Sequence, residues 1–380
     1  MSSTKIPVAK PLLPTARQIV PYLERIDANR WYTNFGTLCL ELEQRIADRF
    51  GLPAQSVVTL ANATVGLTLA LQTARAHPGT HCLVPSWTFP ASVHAVVAAG
   101  LTPYFVDVDE DGLLTPEIAR RALAESQVKI GAAMPVAVYG QPIDARLWDA
   151  FAIETDLPIV IDAAPGFDSL TPGRTISVVS LHATKILGAG EGAFAVSTDA
   201  DSIAEVMQRS VFGFIGTREA RLIATNAKIS EYTAAVGLAG FDQWQRSRAD
   251  FKLVADRYEA RLVPTPGVDL LAGFGRTWLA ATCIVSLVED ATPLARALND
   301  AGVETRAWWG EGMHLNEAFA SYPRTVLPMT EKLSRRTLGL PFFRDMGPDQ
   351  VDFVCEVIAQ ALKNLPGVST PTGLPLARSA

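Results

Sequence analysis

Short apolar runs alternate with segments of helical periodicity over the first two thirds of the chain. Each short run predicts a β-strand, and apolar residues that recur one turn apart, such as Leu42, Ile46 and Phe50, predict a helix. The expected strands cover residues 57–60, 81–84, 103–108, 130–136, 158–162, 177–181 and 193–197. This alternation predicts an α/β fold with one seven-stranded, mostly parallel sheet that helices cover on both faces.

The last third of the chain predicts a second unit. Residues 229–257 have the pattern of one long amphipathic helix, which would lead into the strands and helices of a smaller α+β domain. A strand is expected at residues 282–287, and helices are expected at residues 293–299 and 348–362.

The length sets the expected domain organisation, because 380 residues exceed what a single core usually holds. We expect a large domain at residues 1–245, whose N-terminal segment packs on the small domain, and a small C-terminal domain at residues 246–365. Residues 366–380 are rich in proline, glycine and serine and predict a flexible tail.

The composition narrows the class of protein. A net charge of −6 gives no general attraction to nucleic acid or to an anionic membrane, so neither partner is expected. The four cysteines lie far apart, with no C-x-x-C pair and no nearby set of histidine ligands, which argues against disulfides or a zinc site and favours a reducing compartment. The start of the chain lacks the apolar core of a signal peptide, and no run is long enough to span a membrane. The sequence therefore predicts a soluble, cytoplasmic protein without a metal ion.

A glycine-rich run at residues 188–193 fits G-x-G-x-x-A, a relaxed form of the dinucleotide-binding fingerprint. That motif places the cofactor's pyrophosphate at the start of a helix, whereas the residues that follow here are strand-like. A nicotinamide cofactor is therefore not favoured.

Two ionisable residues are candidates for chemistry. Lys185 lies in a loop between two predicted strands, among apolar neighbours that would lower its pKa and free a neutral amine for imine formation. Asp162 ends a buried strand, where α/β sheets bind ligands. In isolation, the favoured interpretation of Lys185 is an exposed loop lysine, and a helix cap is an equally good interpretation of Asp162.

Two further segments follow predicted strands. Asn62-Ala63-Thr64 opens an apolar helix whose free amides, with the Thr64 hydroxyl, would hold a phosphate group; a plain capped turn is the alternative. In the segment 85–92, Trp87 or Phe89 would either stack on a flat ring or fill the core.

Together these segments resemble the DegT/DnrJ/EryC1/StrS family of pyridoxal-phosphate (PLP)-dependent sugar aminotransferases. The resemblance covers about residues 6–358. Its markers are RWYTNFG (30–36), ELEQRIADRFG (41–51), the 62–64 turn, WTFPAS (87–92), YFVDVDEDGLLTPE (104–117), PVAVYGQPID (135–144), IDAAPGF (161–167), SLHATKILGAGEGAF (180–194) and TNAKISEYTAAVGLAGFD (225–242).

The resemblance implies an aspartate-aminotransferase-like fold (fold type I) with PLP as cofactor. In this family Lys185 matches the lysine that forms the Schiff base and moves a proton, and Asp162 matches the partner of the pyridine nitrogen. The remaining matches are Ala63, Thr64 and Ser180 at the cofactor phosphate, Phe89 stacked on the ring, and Asn226 and Lys228 reaching the phosphate from the neighbouring subunit of a homodimer.

Three positions depart from the usual family pattern. Pro165 stands where glutamine or histidine is usual near the cofactor's phenolic oxygen, Ala137 replaces a histidine, and Ala193 replaces the second glycine of E-G-G. None of these removes a residue that the chemistry requires, but they weaken any transfer of substrate identity.

The implied reaction moves an amino group from glutamate to the keto group of a nucleotide-linked sugar, which the motifs favour as a 4-keto-6-deoxy sugar. Candidate sugar and nucleotide contacts lie in the loop 31–36, with Tyr32 and Thr33, and in the region 306–314, with His314. An ordinary loop histidine is the alternative for His314. A PLP-dependent sugar dehydratase is a rival function, disfavoured because family dehydratases carry histidine in place of Lys185. A non-catalytic, PLP-binding regulatory protein is the other rival.

Overall fold

The computed structural model describes residues 5–363, so the predicted tail at 366–380 lies outside the described residues. All seven predicted strands of the first two thirds are present. They are β1 (Val57–Leu60), β2 (His81–Pro85), β3 (Thr102–Val106), β4 (Ile130–Ala133), β5 (Val160–Asp162), β6 (Ile176–Ser180) and β7 (Ala193–Val196). No helix within residues 5–363 is long and apolar enough to cross a membrane.

The strands form two sheets and not the single ladder that was expected. One sheet has the order β1-β7-β6-β5 and the other β3-β2-β4; every pair is parallel except the two that involve β7. Only isolated bridges, Ala133 to Ile159 and Val136 to Asp162, lie between β4 and β5. Pro135 and Pro158 lie on these two segments and have no N–H to donate, which limits the ladder there.

Helices cover both faces of this β-structure. Their ranges are α1 (Ala16–Asn29), α2 (Thr37–Arg49), α3 (Ala63–Thr73), α4 (Pro90–Ala98), α5 (Pro116–Glu125), α6 (Ala145–Thr155) and α7 (Ala200–Ser210). Side chains alternate between two apolar layers: Ile161 and Val179 belong to one, and Val160 and Val178 to the other. This alternation is why the strands are apolar along their whole length.

The C-terminal part contains a three-stranded antiparallel sheet of order β10-β9-β8. Its elements are α8 (Glu231–Asp242), α9 (Trp244–Leu262), β8 (Val268–Leu270), β9 (Cys283–Leu287), α10 (Thr292–Asp300), α11 (Pro328–Arg336), β10 (Thr337–Leu340) and α12 (Pro348–Lys363). The N-terminal segment packs here, since Ile6 bridges Val303 and the Val8 carbonyl accepts the Phe342 N–H.

The single helix predicted at residues 229–257 is wrong, because α8 and α9 are separate helices. The backbone at Gln243 leaves the helical region at φ −99° and ψ 2°, and its side-chain amide donates to the Ala239 carbonyl near the end of α8. The apolar period continues across this break, so the pattern alone conceals it.

Two buried glutamates tie α2 to its neighbours. Glu43 accepts hydrogen bonds from the Thr59 N–H and hydroxyl, both at 2.8 Å, and Glu231 accepts the Leu38 and Cys39 N–H groups at the start of α2. Burial raises the pKa of Glu43 to about 7, although the Thr59 bonds oppose this rise.

Replacing Glu43 by glutamine should therefore remove a pH-dependent loss of stability. A raised pKa in the folded state means that protonated Glu43 stabilises the fold below its ordinary value of 4.5, and that this contribution is lost as pH rises through about 7. Relative to Glu43→Gln, the wild type should lose on the order of 3 kcal/mol of unfolding free energy across that interval. Thermal unfolding of both proteins at several pH values checks this, and a pH-independent difference would contradict it.

Candidate active site

A cavity of about 320 Å³ opens where β1, β5 and β6 end. These three strands run in the same direction, so their carboxyl ends meet at one edge, which is where α/β sheets bind ligands. Six of the residues predicted from the sequence line this cavity: Ala63, Thr64, Phe89, Asp162, Ser180 and Lys185.

The Asp162 carboxylate is held on both oxygens. Oδ2 accepts the Ser92 hydroxyl at 2.6 Å, and Oδ1 accepts the Ala164 N–H at 3.0 Å. Burial raises the pKa of Asp162, while these two bonds and the nearby charge of Lys185 oppose the rise. The side chain is therefore an anchored carboxylate and does not cap a helix.

Lys185 belongs to a loop that hydrogen bonds hold in place. Its N–H donates to the His182 carbonyl, and the Ala183 N–H donates to the Gly190 carbonyl. Burial lowers the pKa of Lys185, and the carboxylate of Asp162 partly offsets this effect. The residue is half-buried and lines the cavity, so the alternative of an exposed loop lysine is not what the structure shows.

Two groups in the cavity can hold an anion. At the start of α3, the Asn62 side chain accepts the Val65 N–H, whereas the N–H groups of Ala63 and Thr64 have no acceptor within the helix. These two amides lie at the positive end of the helix. Ser180 is buried at the end of β6, and its hydroxyl accepts the His182 N–H at 3.2 Å.

Aromatic rings form another part of the cavity lining. Phe89 precedes α4 and is 55% exposed, which leaves its ring free to contact a ligand. Tyr139 and Trp309 also line the cavity and stack on each other with ring centroids 4.0 Å apart. Ala137 and Pro165, two of the departures from the family pattern, lie in the same lining and offer it no side-chain hydrogen-bond donor.

The sequence assigned no individual role to Ser92, Tyr139 or Trp309. Ser92 and Tyr139 lie inside motifs that the chain shares with the family, so their position offered a signal. Trp309 lies in the region 306–314, where substrate contacts were expected, but no local pattern connects it to Tyr139.

Asn226 and Lys228 do not line this cavity. The Lys228 amine donates to the Asn226 side chain and lies 4.8 Å from the centre of the Phe212 ring. Between them, the Ala227 carbonyl accepts the Ala61 N–H at 2.7 Å. The pair thus lies next to the 62–64 turn of its own chain, and its role at a neighbouring subunit stays a prediction.

The three candidate substrate residues also lie outside the cavity lining. Tyr32 and Thr33 are exposed, and the Tyr32 ring stacks on Tyr232 with centroids 6.3 Å apart. His314 is buried, with Nδ1 at 2.7 Å from the Ser86 hydroxyl, as is typical of a packed histidine. Substrate contact by these residues stays a prediction.

The groups in the cavity fit PLP. Lys185 supplies an amine for an aldehyde, Asp162 a carboxylate for a protonated ring nitrogen, and Phe89 a ring face for stacking. The amides at the start of α3 and the Ser180 hydroxyl are suited to a phosphate group. This combination is that of a PLP-dependent enzyme of α/β fold.

Comparison with known proteins supports this class. Residues 15–359 match the DegT/DnrJ/EryC1/StrS aminotransferase family. A dTDP-4-amino-4,6-dideoxy-D-glucose transaminase from Escherichia coli is 27% identical, over 92% of this chain and 97% of that protein. The structure of DesI in the presence of its TDP-sugar product is 30% identical with a TM-score of 0.84, over 94% of this chain and 93% of that one. A putative PLP-dependent aminotransferase from Bacillus cereus is 26% identical with a TM-score of 0.87, over 94% of this chain and 100% of that one.

The chain belongs to the DegT/DnrJ/EryC1/StrS aminotransferase family. The expected family, the α/β fold of the PLP-dependent aminotransferases and the cofactor PLP are thereby confirmed.

Proposed function

We propose that this enzyme transfers an amino group from glutamate to the keto group of a nucleotide-linked deoxy sugar, with a 4-keto-6-deoxy sugar as the favoured acceptor. The observation that carries the proposal is the shared cavity of Lys185 and Asp162, in which burial lowers the pKa of the amine and two hydrogen bonds hold the carboxylate. When bound, PLP supplies an aldehyde that takes up the amino group and a ring that withdraws electrons from the substrate carbon.

Lys185 has two tasks in this proposal. Its amine, made less basic by burial, would hold the cofactor covalently until an amino donor displaces it. The displaced amine would then be free to move the proton at the substrate carbon. Both steps need the neutral form, which a lowered pKa makes more abundant.

The other cavity residues bind and orient the cofactor. Asp162 would keep a proton on the ring nitrogen, Phe89 would stack on the ring, and Ala63, Thr64 and Ser180 would bind the phosphate. These roles agree with the contacts available in the cavity. Ala137 and Pro165 would offer a cofactor bound in this cavity no side-chain hydrogen bond.

The acceptor class rests on relatives that act on or bind thymidine-diphosphate sugars, namely the Escherichia coli transaminase and DesI. A direct test incubates the enzyme with ¹⁵N-labelled glutamate and a dTDP-linked 4-keto-6-deoxy sugar. The label should appear in the sugar product by mass spectrometry, and Lys185→Ala should give none. A product that has lost water and carries no nitrogen would instead support the dehydratase alternative.

The active site is proposed to be shared between two subunits. The segment 212–225 presents exposed apolar side chains, including Phe212, Ile215 and Ile223, and Ile223 is 86% exposed. Such a surface is unfavourable in water unless another chain covers it. Asn226 and Lys228 follow this segment and would reach the cofactor phosphate of the second subunit.

Mixing two inactive variants tests this arrangement. We expect Lys185→Ala and the double variant Asn226→Ala/Lys228→Ala each to be inactive or nearly so. If the site is shared, subunit exchange should restore roughly a quarter of the wild-type sites, because half the dimers are mixed and one site in each is intact. A mixture that exchanges subunits but stays inactive would contradict the shared site.

A further inference from the structure

We propose that Ser92 and Thr88 are positioning residues, whose hydroxyl groups form a relay that holds Asp162 ionised and aimed at the cofactor ring. This inference rests on the role proposed above for Asp162 and is independent of the acceptor sugar. Neither residue is among the site residues that the sequence predicted.

The direction of the two hydrogen bonds in the relay follows from the distances and from the protons that each group can donate. Ser92 Oγ lies 2.6 Å from Asp162 Oδ2 and 2.7 Å from Thr88 Oγ1. A serine hydroxyl has one proton, and an ionised carboxylate can only accept. Ser92 therefore donates to Asp162 and accepts from Thr88, which makes a chain of donors that ends on the carboxylate.

The relay is closed to solvent. Ser92 and Thr88 are 0% exposed and Asp162 is 4% exposed. A hydrogen bond to a charged group is stronger in such an environment, and an unpaired buried carboxylate is costly. Water cannot readily take the place of the Ser92 hydroxyl here.

The relay leaves each oxygen of the Asp162 carboxylate able to accept one more hydrogen bond. Ser92 occupies one lone pair of Oδ2 and the Ala164 N–H one lone pair of Oδ1. Asp162 still lines the cavity, so its remaining lone pairs are available to a ring nitrogen there.

Other charges near Asp162 cannot replace the relay. Lys185 lines the same cavity and favours the ionised carboxylate, but it would no longer be a free ammonium group while it holds the cofactor or acts as a base. His182 and Glu191, the remaining imidazole and carboxylate in the lining, lie 3.7 Å from each other. Burial raises the pKa of Asp162, and the Ser92 hydrogen bond is the largest of the effects that lower it.

The test measures PLP binding to the full-length protein after the cofactor has been removed, as a function of pH. Ser92→Ala should weaken PLP binding about tenfold, as expected for the loss of one charge-assisted hydrogen bond. Its affinity should also fall at a higher pH than that of the wild type as the solution is acidified, because Asp162 is then protonated earlier. Ser92→Thr keeps the hydroxyl and should restore both properties.

Two more variants keep the test decisive. Thr88→Val leaves the Ser92 hydroxyl in place and should shift affinity in the same direction by a smaller factor. Ser177→Ala is the matched control, since Ser177 is equally buried but its hydroxyl has no hydrogen-bond partner among the described residues. It should leave PLP binding unchanged.

Asp162→Asn distinguishes the two levels of the proposal. If it binds PLP as the wild type does, the role of Asp162 and the relay both fail. If Asp162→Asn binds weakly while Ser92→Ala retains wild-type affinity and pH dependence, the relay alone is overturned.

Discussion

Lys185→Ala should abolish turnover while leaving the fold intact. The variant removes the amine that we propose both to bind the cofactor covalently and to move the substrate proton, so the rate should fall by roughly 10⁴-fold or more. Lys185 forms no salt bridge with another described residue, and burial disfavours its charged form. Removing the amine therefore should not lower the melting temperature. Steady-state kinetics and thermal unfolding of the purified variant measure the two effects.

The control for this change is Lys332→Ala, which removes an exposed lysine on α11. It should keep wild-type kinetics. The visible absorption that covalently bound PLP gives should be absent from Lys185→Ala and present in the control. Substantial turnover by Lys185→Ala would contradict the proposed mechanism.

Asp162→Asn should have the second-largest effect. An amide cannot carry the negative charge that keeps the cofactor's ring nitrogen protonated, so electron withdrawal from the substrate carbon weakens. We expect a loss of roughly 10²–10³-fold in kcat, of the size seen when one preorganised electrostatic contact is removed, together with weaker PLP binding. Kinetics at saturating PLP separate the loss in rate from the loss in affinity.

Asp168→Asn supplies the comparison for Asp162→Asn. Asp168 is also a buried aspartate, but it pairs with Arg49 and Arg248 and does not line the cavity. Its replacement should lower the melting temperature and leave the pH dependence of PLP binding unchanged. Near-normal kinetics in Asp162→Asn would mean that another group holds the ring nitrogen.

The strands were predictable because burial on both faces makes a strand apolar along its length, a pattern that short windows of sequence preserve. The pairing of strands into sheets and the exact ends of the helices were less predictable. The separation of β4 from β5 depends on the places of Pro135 and Pro158 in the two adjoining segments, and the break at Gln243 leaves the apolar period intact.

The residues of the candidate site also differ in how far the sequence predicted them. Lys185 and Asp162 have informative neighbours in the sequence, so their context pointed to the cavity that they share. Ser92 lies inside a motif of the family, but its hydrogen bond to a carboxylate 70 residues away is evident only in the folded chain. The stacking of Trp309 on Tyr139 likewise joins distant segments, so only the folded chain reveals it.

We propose that amino transfer with PLP takes place in this cavity. The most direct test is the visible spectrum of the PLP-loaded protein, recorded before and after addition of L-glutamate. We expect the long-wavelength band of the lysine-bound cofactor to fall while the shorter-wavelength band of its amino form grows, with no such change in Lys185→Ala. A bound cofactor whose spectrum does not respond to glutamate would contradict glutamate-dependent transfer at this site.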